Sequence, residues 1–202
     1  TKLYRRQVLL KYKDKIFTER RVVYTDQSFF NIFSFQFVKA KSNNVFSAPN
    51  SIVITEAIQQ KYFADTDPIG KILTIDNRRE YTVTGVIENI PSNSDLRYDM
   101  FVSISKAETE RESDNWGSHW LQTFILLNKN SDKVEMEAAL STLIKERLPE
   151  EKISLVLQSL KDIHLYAVNG EPKGMKYVYF FSVIAFFILV IACINYINLT
   201  TA

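Results

Sequence analysis

Cys193 is the only cysteine in the chain, which excludes an internal disulfide and any zinc site built on cysteine pairs. Its neighbours are apolar, so it reads as a small membrane-buried side chain. Histidine is almost as scarce, with only His119 and His164 present. His119 stands between Trp116 and Trp120 and reads as a packed or surface residue. His164, flanked by Ile163 and Leu165, reads as a polar position at a strand end rather than a base. No Gly-x-x-x-x-Gly-Lys-Ser/Thr loop occurs, so nucleotide hydrolysis by that route is excluded. The nearest approach, Asp67-Pro-Ile-Gly-Lys71, has one glycine and no hydroxyl to open a helix. Gly-x-Ser-x-Gly is missing too. Glu56, Asp65 and Asp67 lack the acidic ladder and terminal glutamate of a calcium loop, and capping and turn roles explain them. No nucleophile stands with a base. We therefore expect no catalytic, cofactor-binding or metal-binding residue and no enzyme activity.

Charge of one sign is also lacking: 25 Lys and Arg against 23 Asp and Glu leave a formal net charge of +2. Bulk electrostatics thus names no partner. Only the opening stretch is locally basic, with Lys2, Arg5, Arg6, Lys11, Lys13, Lys15, Arg20 and Arg21. Tyr12, Ile16 and Val22 alternate through it, so it reads as a solvated strand face rather than a site for an anionic partner. Nucleic-acid binding would need exposed aromatics among the basic residues. Here the aromatics sit at core-type positions.

What the chain does have is a run from Tyr177 to Ala202 without one charged residue. About 20 apolar residues in a helix span the roughly 30 Å hydrocarbon core of a bilayer. This run is long enough, and Lys173 and Lys176 stop just before it. The run lies at the wrong end for a signal peptide and exceeds an h-region in length. Thr1 and the abrupt stop at Ala202 suggest a fragment of a longer membrane protein.

The rest reads as mixed strand and helix. Two strands are expected up to Tyr24, then a short aromatic helix, Phe29–Phe33, capped by Asp26 or Ser28. Ser51–Ile54 is a strand running into Thr55 as the N-cap of a helix to Phe63. Asp65-Thr-Asp-Pro-Ile-Gly70 is a turn. Lys71–Ile75 and Glu80–Ile87 form a hairpin around Asp76-Asn-Arg-Arg79. Further strands are expected at 98–103, 122–127 and 154–159, with a short helix and loop over 106–118. Asp132 or Ser131 caps a helix to Arg147, where Met136, Leu140, Leu143 and Ile144 share a face. Asn169–Gly174 is a Gly/Pro linker.

Five stretches, in order, resemble the extracytoplasmic core domain of MacB-like, FtsX-like ABC transporter permeases. They are Asp26-Gln-Ser-Phe-Phe-Asn-Ile-Phe-Ser-Phe35, Ser51-Ile-Val-Ile-Thr-Glu56, Tyr62-Phe-Ala-Asp-Thr-Asp-Pro-Ile-Gly-Lys71, Tyr81-Thr-Val-Thr-Gly-Val-Ile87 with Pro91-Ser92, and Ile163-His-Leu165 leading to Ile191–Ala202. The last looks like the second transmembrane helix of the Bacteroidota-type long permeases. Ala64 is a departure, since such proteins often carry glycine after that phenylalanine.

The resemblance implies an α+β, two-lobed extracytoplasmic domain over 1–168. Residues 1–50 and 120–168 would build a porter-like lobe, and 51–118 an inserted β-rich lobe. A linker at 169–176 and a transmembrane helix at 177–202, the start of the permease domain, would follow. It also implies a bacterial inner-membrane location with the domain in the periplasm. The implied partners are an ABC ATPase subunit that uses the ATP, a second permease copy or homologue, and a periplasmic adaptor or outer-membrane protein. No cofactor is implied in this chain, and no nucleic acid. The function implied is coupling of ATP hydrolysis to domain motion, for export or mechanotransmission. Gly170 and Gly174 permit backbone change, so the linker reads as either a hinge or an idle tether. The alternative is an extracytoplasmic sensor domain of a membrane receptor. Asn195 and Asn198 suggest that the final helix meets other helices.

Overall fold

A computed structural model describes residues 1–40, 44–104, 121–150 and 153–201. His119, Trp116, Trp120 and the helix and loop expected over 106–118 lie outside the described residues. The chain divides into two compact units, Thr1–Asn130 and Ser131–Ala202.

The first unit is built by strand pairing. β1 (Lys2–Tyr12) and β2 (Lys15–Thr25) form a long antiparallel hairpin, as their alternation predicts. Then come α1 (Ser28–Ile32), β3 (Phe37–Ala40), β4 (Ser51–Thr55) and α2 (Glu56–Phe63). β5 (Ile72–Ile75) and β6 (Arg79–Ile87) pair as the expected hairpin. β7 (Met100–Ser103) and β8 (Gln122–Thr123) follow. The pairings run in a ring, from β1 to β2, β7, β4, β6, β5 and back to β1. The result is a small closed barrel. β3 lies along β6, and β8 lies beside the start of β1. Pairing crosses residue 50, since β2 joins β7 and β1 joins β5, so strands from 1–50 and 51–118 share one sheet.

Closure gives the strands two buried faces. Inside, every second residue is apolar: Val8 and Leu10, Val22 and Tyr24, Ile52 and Ile54, Leu73 and Ile75, Met100 and Val102. A barrel this small is filled by its own side chains. α2 joins that core through Ile58, Tyr62 and Phe63. Outside, Leu3, Val23, Val53, Ile87 and Phe101 meet α1 and the segment after it. Phe29 is fully buried there, with ring centroids 4.7 to 5.8 Å from Phe30, Phe33, Phe35 and Phe101. The phenylalanine-rich stretch is thus a second core.

α2 is fastened at its C-terminal end. The Glu19 carboxylate accepts from Lys61 Nζ at 2.6 Å and the Tyr62 hydroxyl at 2.7 Å. Burial, and then this bond to Glu19, push the Tyr62 hydroxyl pKa upward, so it remains a donor. Lys15 Nζ donates to the carbonyls of Lys61 and Tyr62. Ala64 closes the helix at φ 51°, ψ −119°, a conformation that suits glycine and strains a residue with a Cβ. This is the position where the sequence departs from glycine. Ala64→Gly should therefore stabilise the unit by about 1 kcal/mol, seen as a raised urea midpoint; a lowered one would rule out the strain.

Several expected details differ. Neither Asp26 nor Ser28 caps α1; Gln27 holds that position without a capping bond, its Oε1 accepting from Phe46 N instead, while Asp26 accepts from Lys2 N at 3.0 Å. Thr55 does precede α2, but it ends β4, and its hydroxyl is buried without a partner rather than capping. The strand expected over 122–127 stops at Thr123. It pairs with the very start of β1, at Lys2 and Leu3, and Thr1 bonds Phe124. The basic opening stretch is largely engaged within the fold. Arg5 donates to Tyr98 Oη at 2.9 Å, Arg6 pairs with Asp76 and Arg21 with Asp99.

The second unit contains two helices, α3 (Lys133–Arg147) and α4 (Met175–Thr201). Asp132 caps α3, accepting from Val134 N at 2.8 Å. Of the expected seam only Ile144 is buried, and Leu143 is 38% exposed.

Candidate functional site

The strand expected over 154–159 does not form. A strand needs a partner ladder, and here side chains take up the backbone instead. Leu157 N donates to Glu137 Oε1 of α3 at 2.8 Å, and Gln158 Nε2 donates to the Tyr166 carbonyl at 2.9 Å. The Asp162 carbonyl then accepts from Leu165 and Tyr166, making a tight turn. The Leu165 carbonyl faces the start of α4 and accepts from three successive amides, Lys173 at 2.8 Å, Gly174 at 3.0 Å and Met175 at 3.3 Å. Between them, Ala167 N donates to the Glu171 carbonyl and Tyr166 bridges Pro172. Residues 169–176, expected as a linker, are therefore stapled to the turn before them.

The two glycines here play different parts. Gly170 takes φ +80° with open space around its missing Cβ. At Gly174 a Cβ would stand 2.9 Å from the His164 carbonyl oxygen and 3.6 Å from Leu165 Cα. Gly174 is thus a close-approach residue, where the turn lies directly against the helix start. His164 contributes that backbone oxygen. Sequence reasoning singled out both glycines but missed Glu137, Gln158 and the Leu165 carbonyl, because backbone acceptors leave no residue-type signature.

α4 begins at this staple. Its 27 residues make a rod of about 40 Å, longer than the roughly 30 Å hydrocarbon core. It is long and apolar enough to cross a membrane, and none of it is buried within the protein. Its hydroxyls are satisfied inside the helix: Ser182 donates to the Val178 carbonyl, Thr200 to Tyr196 and Thr201 to Ile197. Cys193 is an exposed thiol on its surface. Asn195 and Asn198 also lie on the helix, and their amides make no hydrogen bond among the described residues. Elsewhere, Glu56 sits in the first turn of α2, Asp65 is exposed and Asp67 pairs with Lys39 at 3.2 Å. Among the described residues no three His, Cys, Asp or Glu side chains gather to hold a metal.

Comparison with known proteins places the first unit. The MacB-like periplasmic core domain family matches residues 3–143. The chain belongs to that family. A domain of a protein named as a permease from Porphyromonas gingivalis has the same fold, with a TM-score of 0.62 and 18% identity over 80% of this chain and 79% of that one. The periplasmic region of MacB from Actinobacillus actinomycetemcomitans aligns with a TM-score of 0.50 and 15% identity, covering 72% of this chain and 66% of the other. The extracellular domain of the noncanonic ABC-type transporter YknZ from Gram-positive bacteria gives a TM-score of 0.50 and 14% identity, covering 78% and 80%. At such identities the likeness is one of fold. No curated protein matches in sequence. The MacB-like match ends inside α3, so the staple and α4 lie beyond it.

Proposed function

We propose that this chain is part of a permease subunit of an ABC transporter of a bacterial inner membrane, its soluble domain periplasmic. ATP is used by a partner ATPase, and this chain carries the resulting motion outward, for export or mechanotransmission. A second permease copy or homologue would complete the membrane part, and a periplasmic adaptor or outer-membrane protein would receive the motion. The family membership supports the setting. The observation that carries the mechanism is the Leu165 carbonyl holding three amides at the start of α4. With Gln158 on Tyr166 and Leu157 on Glu137, it forms a hydrogen-bonded strap from the membrane helix to α3. A strap pinned at both ends moves as a body rather than bending, so it acts as a lever more than a hinge. The unpartnered amides of Asn195 and Asn198 favour neighbouring spans, because an isolated polar group in hydrocarbon is costly.

The test uses the full-length protein with its ATPase in lipid vesicles, spin-labelled at Glu146 and Lys176. Their separation should stay constant between nucleotide-free and ATP-bound forms, while the depth of the Glu146 label relative to the bilayer changes. A separation change of one helical turn, roughly 5 Å, would sink the lever. No nucleotide response at either label would sink the permease reading itself.

A further inference from the structure

The β5–β6 turn lies at one mouth of the barrel and lines a cavity of about 190 Å³ with Tyr4, Arg6, Tyr24, Ile75, Arg78 and Arg79. The strand register puts this mouth away from α2: Tyr24 pairs with Val102, and Val102 with Ile52, where β4 begins, whereas α2 follows the end of β4. Asp76 and Asn77 both take left-handed backbone, φ 53° each, which short polar residues tolerate. The turn is locked by Asp76, whose Oδ1 accepts from Leu9 N and whose Oδ2 accepts from Arg6, both at 2.9 Å. Among the described residues, the one carboxylate in the cavity wall therefore has a donor on each oxygen.

Two donors remain. The Arg78 guanidinium has no hydrogen bond or ion pair among the described residues. Tyr24 is 3% exposed, stacks on Tyr4 with ring centroids 4.7 Å apart and 6° between planes, and lines the cavity. Its hydroxyl likewise makes no hydrogen bond among the described residues. Unlike the Thr55 hydroxyl, it is not sealed from solvent, and Tyr24 lines a cavity walled, among the described residues, by three arginines and one aspartate. Burial, foremost, together with Tyr81 and Tyr4, drives its pKa upward, so it stays protonated as a donor.

We propose that the barrel mouth binds a carboxylate group, clasped by the Arg78 guanidinium and the Tyr24 hydroxyl, with the stacked Tyr4 and Tyr24 rings as the wall. A planar monoanion matches a guanidinium fork. A phosphate dianion would meet like charge from Asp76. The carboxylate has two possible carriers, a free small organic acid or an acidic side chain of a peptide.

The test is calorimetric titration of the full chain in detergent, at constant ionic strength, with glutarate, with N-acetylglutamate N-methylamide and with inorganic phosphate. Saturable binding of glutarate or the blocked glutamate is expected, with phosphate weaker. Tighter binding of the blocked residue would assign the carrier to a peptide, and tighter glutarate to a free acid. Arg78→Gln and Tyr24→Phe should each weaken binding on the order of tenfold, with the near-ultraviolet circular dichroism of the barrel tyrosines checking that the fold persists. Arg78→Lys should restore part of the affinity. Phosphate binding more tightly than both carboxylates, no saturable binding of either, or full affinity in both variants would overturn the proposal.

Discussion

Phe29→Ala will destabilise the barrel unit by about 3–5 kcal/mol. That is a large share of the roughly 5–15 kcal/mol that holds an ordinary domain together. Phe29 has no exposed surface and sits at the centre of the ring cluster joining α1 to the outer face of the barrel. Removing it opens a void among Phe30, Phe33, Phe35 and Phe101, and rings anchored on three different segments do not collapse together into it. Phe37 is the control. It is 38% exposed on β3, so Phe37→Ala should cost about 1 kcal/mol. Urea unfolding of the chain in detergent, followed by near-ultraviolet circular dichroism, measures both. Equal losses would mean that the cluster is not the keystone its geometry suggests.

The second large effect concerns function rather than stability. Gly174→Ala places a methyl 2.9 Å from the His164 carbonyl oxygen, against backbone that cannot swing aside. The turn must separate from the start of α4, which loosens the three amide bonds on the Leu165 carbonyl. In the transporter proposed above, we expect ATP-driven activity to fall on the order of tenfold, the kinetic equivalent of losing about one net hydrogen bond. The urea stability of Thr1–Asn130 should not change. Gly170→Ala is the informative contrast: it strains a residue at φ +80° but meets no neighbour, and should cost about 1 kcal/mol of local stability with activity retained. If Gly170→Ala were the more damaging of the two, the region would be a hinge and the lever reading would fail.

Much of this architecture was legible because local signals agreed. The β1–β2 and β5–β6 hairpins followed from alternation and turn residues, the Asp132 cap from its side chain, and α4 from length and absence of charge. The barrel was not legible. Its closure rests on β2 meeting β7 and β1 meeting β5, contacts between distant segments that alternate no differently from strands in an open sheet. Leu155 and Val156 misled in the opposite direction. They have strand-like character, but the Leu157 amide is taken by Glu137, and both residues are exposed. Gly174 could be noticed but not interpreted, since only the approach of His164 shows that its small size matters more than its flexibility. The pairing of Arg6 with Asp76, which leaves Arg78 without an ion pair among the described residues, depends on the same long-range register and was equally hidden.

The closed ring also sets an order of events during synthesis. β1 and β2 can zip together as soon as Thr25 is made, yet β1 finds β5 only when Ile75 arrives and β8 only when Thr123 does, and β2 finds β7 only when Ser103 does. Until then the nascent hairpin carries two unpaired edges and one uncovered apolar face. Pairings so far apart along the chain close slowly, and open edges invite association with other chains. The interval between residues 25 and 103 is therefore when this domain most depends on being kept apart from its own copies.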